Sequence, residues 1–192
     1  MSRHIDTLTA DYFEGKYQSD ADPWQFKTSP YEREKYDRTL DALSKPLFDR
    51  GFEVGCSIGI LTSRLAKRCH TLMAIDGSKT AIATARATCP GNVHLRIGML
   101  PQDFPSGQFD LILLSEVLYY FCATDLQIVA NQCCQSLATG GEIVLCHWLG
   151  KTDYPLSGAE ASASFAAAAL KRLPVRTVFH EDVYRLERFS EL

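Results

Sequence analysis

The spacing of apolar positions changes near residue 48 of the chain. Before it, from Thr7 to Leu47, apolar residues recur at helical intervals, interrupted by the polar loop Asp20–Trp24. After Gly51, short apolar runs alternate with amphipathic segments. The pattern predicts strands at 51–54, 71–75, 93–97, 110–115 and 142–147, with helices near 59–69, 78–88 and 125–138. Such alternation is typical of a parallel sheet with helices on both faces.

The C-terminal part of the chain predicts a different ending to the sheet. An alanine-rich helix at 159–173 precedes two apolar runs, 175–179 and 183–189, which are separated by Glu181-Asp182. Two runs so close together predict a terminal hairpin that adds an antiparallel edge. The expected fold is α/β and Rossmann-like, with a mostly parallel seven-stranded sheet. We expect a single domain over 1–192, in which 1–47 form a helical lid or cap and 48–192 form the core.

Composition and charge exclude several classes of partner. The chain has 192 residues, of which 46% are hydrophobic and 22% charged, and its net charge is −3. These values are ordinary for a globular domain, and the basic residues form no long cluster of the kind that binds nucleic acid. No apolar run approaches membrane-spanning length, and residues 1–11 are polar. We therefore expect a cytoplasmic protein without nucleic-acid or membrane partners, and its oligomeric state stays open.

Seven cysteines invite a metal or disulfide interpretation. Their number is odd, no C-x-x-C pair occurs, and several lie inside apolar segments: Cys122, Cys133, Cys134 and Cys146. Buried thiols that act as small apolar side chains explain this distribution best. We expect neither a metal site nor a structural disulfide.

The segment Phe52–Gly59 carries the clearest chemical signal. A short apolar run containing Glu53 leads into a loop bracketed by Gly55 and Gly59, and an amphipathic segment follows. Glycines in such a strand-to-helix loop permit a tight turn and a close approach of backbone to ligand. The next predicted strand ends in Asp76, at about the spacing where an acid binds ribose hydroxyls in nucleotide sites. Loop and acid together predict a nucleoside-containing cofactor.

The details of the loop argue against a dinucleotide. A pyrophosphate-binding fingerprint needs glycine where this chain has Ser57 and Ile60. The pattern Glu53-x-Gly55-x-Ser57-x-Gly59 resembles instead the first motif of class I S-adenosylmethionine methyltransferases, in which the middle residue is usually glycine. The segment Leu137–Gly141 resembles another motif of that family. The resemblance implies S-adenosylmethionine as cofactor, S-adenosylhomocysteine as product, and no metal.

Ligands of parallel sheets bind at the carboxyl ends of the strands, so the residues that follow each strand are the site candidates. Met99 occupies the position at which the resembled family often has an acid that binds the adenine amino group. In this chain the backbone groups of Met99 and Leu100 would bind adenine instead. The cofactor candidates in the core are Glu53, Gly55, Cys56, Ser57, Gly59, Asp76, Gly77, Met99, Leu100 and Ser115.

An alternative interpretation of the same loop is a hydrolase. Gly55-Cys56-Ser57-Ile58-Gly59 also matches the nucleophile elbow of serine hydrolases, and His147 or His180 follow in a suitable chain order. That fold needs strands and an oxyanion loop before the elbow, whereas residues 1–51 are mainly helical in pattern. The five-residue match is therefore weak evidence.

Peripheral segments narrow the resemblance. Asp22-Pro23-Trp24, Tyr31-Glu32, Lys35-Tyr36 and His147-Trp148-Leu149-Gly150 are similar to the nodulation protein S family, as is the loop with its serine. That family N-methylates the terminal glucosamine of a de-N-acetylated chitooligosaccharide during synthesis of lipochitooligosaccharide signals. The resemblance implies the same acceptor here. Another small-molecule acceptor, or a binding protein without catalysis, is the alternative.

Candidate residues for this chemistry follow the central strands or lie in the cap. Glu116 and His147 are candidate bases for the acceptor amine; alternatively, Glu116 caps a helical turn and His147 is a structural histidine. Tyr119, Tyr120 and Trp148 are candidate sugar-binding rings or else core residues. In the cap we expect Trp24 and Arg33 near the methionine end of the cofactor, with a surface ion pair to Glu32 or Asp37 as the alternative for Arg33.

Overall fold

The computed structural model describes residues 3–191, which form one seven-stranded sheet with six α-helices. The strands are β1 Phe48–Val54, β2 Cys69–Asp76, β3 Val93–Ile97, β4 Phe109–Ser115, β5 Leu137–Trp148, β6 Val175–Glu181 and β7 Tyr184–Ser190. The helices are α1 Ala10–Ser19, α2 Pro30–Asp41, α3 Ile60–Leu65, α4 Lys79–Thr88, α5 Ala123–Ser136 and α6 Gly158–Ala169.

The strand order is β3-β2-β1-β4-β5-β7-β6. The first five strands are parallel to one another, and β7 is antiparallel to both β5 and β6. The predicted fold class and terminal hairpin are thus confirmed. Because β1 and β4 are neighbours while the chain winds outward from β1 to β3, the direction of winding reverses between them. The carboxyl ends of β1 and β4 therefore open into a crevice, which is the expected ligand position in such a sheet.

The core lies on both faces of the sheet, as the alternation of side chains along β4 illustrates. Ile112 and Leu114 pack with α5 and α6, whereas Leu111 and Leu113 pack with α2 and α3. All four are fully buried. Successive side chains of a strand point to opposite faces, so a strand covered twice must be apolar at nearly every position. This requirement explains the continuous apolar run that predicted the strand.

Several element boundaries differ from the sequence prediction: β1 begins at Phe48 rather than 51, and α6 ends at Ala169 rather than 173. Helix α3 ends at Leu65 and continues only as a 3₁₀ turn at Ala66–Arg68. Strand β5 begins at Leu137 rather than 142, and its pairing with β4 shifts register between Phe109 and Leu111. Gly140, at φ 70°, lies within this irregularity. Gly140 and Gly141, which precede the predicted strand, therefore lie at an irregularity inside β5, because glycine tolerates the unusual backbone that a bulge requires.

The N-terminal segment is tied to the core around the carboxyl ends of the strands. The Glu14 carboxylate of α1 accepts hydrogen bonds from the Ser78 hydroxyl at 2.7 Å and from the Thr80 hydroxyl at 2.7 Å, at the start of α4. The Leu8 amide donates to the Tyr120 carbonyl at 2.9 Å. These contacts hold α1 against the core, and residues of both α1 and α2 line the crevice. Among residues 3–191, none of the helices is long and apolar enough to cross a bilayer.

Candidate functional site

A cavity of about 320 Å³ lies at the carboxyl ends of β1, β2 and β4, between the sheet and the N-terminal helices. The structure brings together in its lining twelve of the residues singled out from the sequence: Trp24, Gly55, Ser57, Asp76, Gly77, Met99, Leu100, Ser115, Glu116, Tyr119, Tyr120 and Trp148.

The loop after β1 has a backbone that only small residues adopt easily. Gly55, Ser57 and Gly59 all have positive φ, of 74°, 52° and 83°. A Cβ atom at Gly55 would lie 2.3 Å from Cγ1 of Val117, far inside van der Waals contact. The first glycine is therefore required both by its own conformation and by the close approach of the residues that follow β4.

Ser57 lies in the left-handed region although it is not glycine, and its side chain has a specific partner. The hydroxyl of Tyr17, from α1, donates a hydrogen bond to Ser57 Oγ. Tyr17 is buried, and this burial raises the pKa of its phenol well above the ordinary value. The serine thus links the cofactor-type loop to the N-terminal cap. In the described part of the chain no histidine hydrogen-bonds Ser57, so the geometry does not support the hydrolase interpretation.

Asp76, at the end of β2, presents a carboxylate to the cavity. Its Oδ2 accepts the Ser57 amide at 2.8 Å, and its Oδ1 accepts the Ser78 amide at 2.9 Å. Each oxygen keeps a further lone pair, so the carboxylate can also accept from ligand hydroxyls. Burial raises the pKa of Asp76, and the two amide hydrogen bonds offset part of this effect. The arrangement suits a ribose whose two hydroxyls donate to one acid.

Glu116, directly after β4, is held by three groups. Its Oε1 accepts from Nζ of Lys35 at 2.5 Å, and its Oε2 accepts from the Tyr119 hydroxyl at 2.6 Å and the Trp148 amide at 2.9 Å. Burial by itself would raise the pKa of this carboxyl, but Lys35 and the hydrogen bonds bring it below the ordinary value. Glu116 is thus ionised and both of its oxygens accept hydrogen bonds, which makes it a poor proton acceptor.

Lys35 projects from α2 and is 2% exposed. Besides Glu116 it contacts Oε1 of Glu32 at 2.9 Å, and its ammonium lies 5.1 Å from the centre of the Tyr31 ring. Burial lowers the pKa of Lys35, but the two carboxylates outweigh burial and raise it well above the ordinary value. The site therefore contains a permanently charged lysine between two acids.

His147 lies behind the wall of the cavity. It is fully buried in β5, and its Nε2 accepts a hydrogen bond from the Leu118 amide at 3.1 Å. Burial lowers the pKa of the imidazole to about 4, although the charge of Glu116 opposes this effect. The structure thus places His147 as a neutral support for the segment after β4 and not against an acceptor, in agreement with the alternative given for it above.

Aromatic rings form the outer wall. The rings of Tyr119 and Tyr154 stack with centroids 5.3 Å apart, and Tyr120 meets Tyr154 edge to face at 4.7 Å. Phe13 of α1 contacts Tyr120 at 4.9 Å. Trp148 lines the cavity and is 40% exposed. Flat apolar ring faces combined with phenol hydroxyls are suited to a ligand that is partly apolar and partly polar.

The remaining predicted residues lie outside this cavity. The Arg33 side chain is exposed, and neither Glu32 nor Asp37 pairs with it, since Glu32 pairs with Lys35 and Asp37 with Arg64. Gly59 packs on α4, where a Cβ atom would meet Ala85 and Cys89. Two others line a separate space of about 30 Å³ beneath the loop: Glu53 and Cys56. Burial raises the pKa of Glu53 to about 7.

Residues that were not site candidates in the sequence analysis also line the cavity, among them four already described: Tyr17, Glu32, Lys35 and Tyr154. Three of them are in the N-terminal cap. The sequence did indicate that Glu32 and Lys35 of α2 lie together, since an acid and a lysine at spacing i, i+3 share a helix face. That this face points into the cavity depends on how α2 docks, which the helix pattern does not contain.

Among residues 3–191 no group of three or more His, Cys, Asp or Glu side chains is placed to hold a metal ion. All seven cysteines are free thiols.

Comparison with known proteins gives consistent similarities. Residues 52–145 match the family described as "Methyltransferase domain". Nodulation protein S from Rhizobium tropici is 31% identical over 127 residues, which are 64% of this chain and 53% of that protein. The chain spans about half the length of the curated relatives it matches.

Solved structures agree with the sequence relatives. A putative methyltransferase from Pseudomonas syringae is 33% identical, with a TM-score of 0.72, covering 84% of this chain and 99% of that one. The N-methyltransferase NodS from Bradyrhizobium japonicum WM9, in complex with S-adenosyl-L-homocysteine, has a TM-score of 0.79 at 24% identity, covering 96% of this chain and 99% of that one. At that identity the similarity shows a shared fold. From its loop, its sheet order and these relatives, the chain belongs to the class I methyltransferases, and it is similar to nodulation protein S.

Proposed function

We propose that this protein is an S-adenosylmethionine-dependent N-methyltransferase whose acceptor is the free amine of a non-reducing-end glucosamine in a de-N-acetylated chitooligosaccharide. The product belongs to the synthesis of lipochitooligosaccharide nodulation signals. The observation that carries the proposal is one cavity with Asp76 at its cofactor end and a Glu32–Lys35–Glu116 cluster with aromatic walls at the other.

The cofactor end fits S-adenosylmethionine. The Asp76 carboxylate has lone pairs left for ribose hydroxyls, and the positive-φ loop at Gly55 and Ser57 exposes backbone to the ligand. Met99 and Leu100 line the place that adenine would take, and they offer apolar contact and backbone groups. When bound, S-adenosylmethionine supplies an electrophilic methyl group on a sulfonium sulfur.

The acceptor end fits an amino sugar. Two carboxylates and one ammonium give the cluster of Glu32, Lys35 and Glu116 an excess of one negative charge, which favours a cationic acceptor over a neutral hydroxyl. Tyr119, Tyr120 and Trp148 supply ring faces for the apolar faces of a pyranose. Positioning of the amine in line with the methyl group supplies much of the acceleration in such a displacement.

Location and partners complete the proposal. Seven free thiols fit the reducing cytoplasm, where we place the protein. We propose the oligosaccharide as its small-molecule partner, and neither nucleic acid nor membrane.

The test is direct. The purified protein is incubated with S-adenosylmethionine and two chitooligosaccharides of equal length, one fully acetylated and one lacking its non-reducing-end acetyl group. Mass spectrometry then measures mass added in units of one methyl. Methylation of only the free-amine sugar is the expected result. S-adenosylhomocysteine binding without methylation of either sugar would remove this acceptor, and failure to bind S-adenosylhomocysteine would remove the cofactor as well.

A further inference from the structure

The two acids of the cluster differ in what their oxygens contact. Both oxygens of Glu116 have partners: Lys35 on Oε1, and Tyr119 and Trp148 on Oε2. Glu32 is 8% exposed and lines the cavity, and its Oε1 accepts from Lys35. Its Oε2 is buried and has no hydrogen-bond partner among residues 3–191. A buried carboxylate oxygen without a donor is unfavourable, so its retention in a cavity wall points to a donor on the ligand.

The local sequence offered Glu32 a different position. Ser29-x-x-Glu32 is a capping-box pattern, and in a complete box the glutamate side chain returns to the amide of the cap residue. The second such pattern, Ser157-x-x-Glu160, forms the complete box at the start of α6. At α2 only half of it forms: Ser29 Oγ accepts from the Glu32 amide at 3.3 Å. The Ser29 amide donates to the Gln25 carbonyl at 2.9 Å instead, which leaves the Glu32 carboxylate free to enter the cavity.

Lys35 fixes the orientation of this carboxylate. The ammonium bonds Oε1 of Glu32 at 2.9 Å and Oε1 of Glu116 at 2.5 Å, and it lies 5.1 Å from the Tyr31 ring centre. With one oxygen of Glu32 bound in this way, the other is the one left for a cavity ligand. The lysine therefore holds two acids in place: Glu116, whose two oxygens both accept hydrogen bonds, and Glu32, whose Oε2 accepts none.

We propose that Glu32, rather than Glu116 or His147, receives the acceptor amine on Oε2 and takes its proton. The inference rests on the proposed function and deepens it. The acceptor binds as an ammonium, one N–H donates to Oε2, and the proton passes to the carboxylate, which leaves a neutral amine and a neutral Glu32. The nitrogen lone pair then forms the C–N bond, while the S–C bond to the methyl group breaks and its electron pair stays on sulfur as S-adenosylhomocysteine. The product is a secondary ammonium, and Glu32 returns its proton to water.

The electrostatic surroundings agree with the geometry. Burial raises the pKa of Glu32 above its ordinary value, and Lys35 offsets part of that increase. The charge of Glu116 raises it further, whereas the nearby Tyr36 phenol lowers it. Tyr31 also faces the cluster, and burial raises its pKa to about 12, so it stays protonated near neutral pH. Glu32 is consequently the more basic of the two carboxylates.

The test compares Glu32→Gln with Glu34→Gln. Glu34 lies two residues further along α2, exposed and paired with Arg38 on the outer surface, so it is a matched control for loss of a carboxylate from this helix. Turnover of the free-amine sugar by E32Q should fall about 10²-fold or more, within the range for loss of a general base. The fall in turnover at low pH that protonation of Glu32 causes in the wild type should also be absent from E32Q. E34Q should match the wild type in both turnover and pH profile.

Glu32→Asp keeps a carboxylate one methylene shorter, and it should recover part of the rate. Calorimetry with S-adenosylhomocysteine shows whether each variant still folds and binds at the cofactor end. Unchanged turnover and an unchanged pH profile in E32Q, alongside an active wild type, would overturn the role of Glu32 and leave the proposed function standing. An inactive wild type would overturn the function itself.

A measurement on the wild type avoids the risk that E32Q does not fold. The free-amine sugar is titrated into the S-adenosylhomocysteine complex in buffers of different ionisation enthalpy, at a pH where the sugar is mostly an ammonium. If Glu32 accepts the proton, binding releases almost none to the buffer. Release approaching one proton per sugar would mean that the amine loses its proton to solvent before it binds, which would refute the assignment.

Discussion

The substitution Gly55→Ala tests how closely the two strand ends approach beneath the cavity. Gly55 has a φ of 74°, and the added Cβ atom would lie 2.3 Å from Cγ1 of Val117. Carbon atoms pack favourably at about 3.5–4.0 Å, so the overlap exceeds about 1 Å. The contact cannot be relieved by rotation of the alanine, because a Cβ atom is fixed by the backbone.

Two costs add in this variant. A left-handed conformation costs a residue with a Cβ atom about 1–2 kcal/mol, and overpacking in a well-packed region costs about 1–3 kcal/mol. We therefore expect G55A to lose about 2–5 kcal/mol of unfolding free energy. This is a large fraction of the roughly 5–15 kcal/mol that stabilises a typical domain. Affinity for S-adenosylhomocysteine should fall as well, because Gly55 lines the cavity.

Urea unfolding of the wild type, G55A, V117A and the double variant separates the two costs. Val117→Ala removes Cγ1, so the double variant G55A/V117A should recover the overpacking part, which appears as a coupling of about 1–3 kcal/mol between the two sites. Gly15→Ala is the control, since Gly15 lies in α1 with no atom within 4 Å of its added Cβ. That variant should gain about 0.5–1 kcal/mol. A loss below about 1 kcal/mol in G55A, or additive effects in the double variant, would refute the close approach.

Four further predictions concern other parts of the site. Asp76→Ala should weaken S-adenosylhomocysteine binding, measured by calorimetry, about 10- to 100-fold, because it removes charge-assisted hydrogen bonds worth about 1.5–3 kcal/mol. Unchanged affinity would contradict the placement of the ribose. Arg33→Ala should bind within about twofold of the wild type, since its side chain is exposed, and a large loss would return Arg33 to the site. Tyr17→Phe should lose about 1 kcal/mol in urea unfolding, because it removes the hydrogen bond to Ser57, whereas equal stability would show that bond to be negligible. Glu53 has a pKa of about 7 in the folded protein against an ordinary value of 4.5, so the unfolded chain loses this proton at a lower pH than the folded chain does. The unfolding free energy of the wild type, relative to that of Glu53→Gln, should therefore fall by up to about 3 kcal/mol between pH 4.5 and 7. A pH-independent difference would rule this out.

The sequence by itself determined the elements and their order. Strand β4 was predictable because a strand buried on both faces must be apolar at nearly every position, as 111–114 are. The prediction of β3 matched Val93–Ile97, and that of α4 differed by one residue at its start. These are local signals, since side-chain periodicity and glycine conformation are properties of a short segment.

The cofactor end of the site was also predictable, for the same reason. Gly55 and Ser57 follow β1 and Asp76 ends β2, and parallel strands bring their carboxyl ends to one edge of the sheet. Topology therefore converts positions in the sequence into neighbours in space without any detail of packing. The residues that line the cavity at this end need only the strand order to be placed.

The acceptor end was decided by tertiary structure. His147 and Trp148 are adjacent in the chain, yet the first is fully buried and the second borders the cavity, because successive side chains of a strand face opposite ways. Glu32 and Lys35 enter the site only because α2 docks over the crevice. Lys35 and the Glu116 that it contacts are 81 residues apart in the sequence. Helical periodicity predicts which residues share a face of a helix. Long-range packing decides what that face contacts, and therefore which carboxylate is left with a free oxygen.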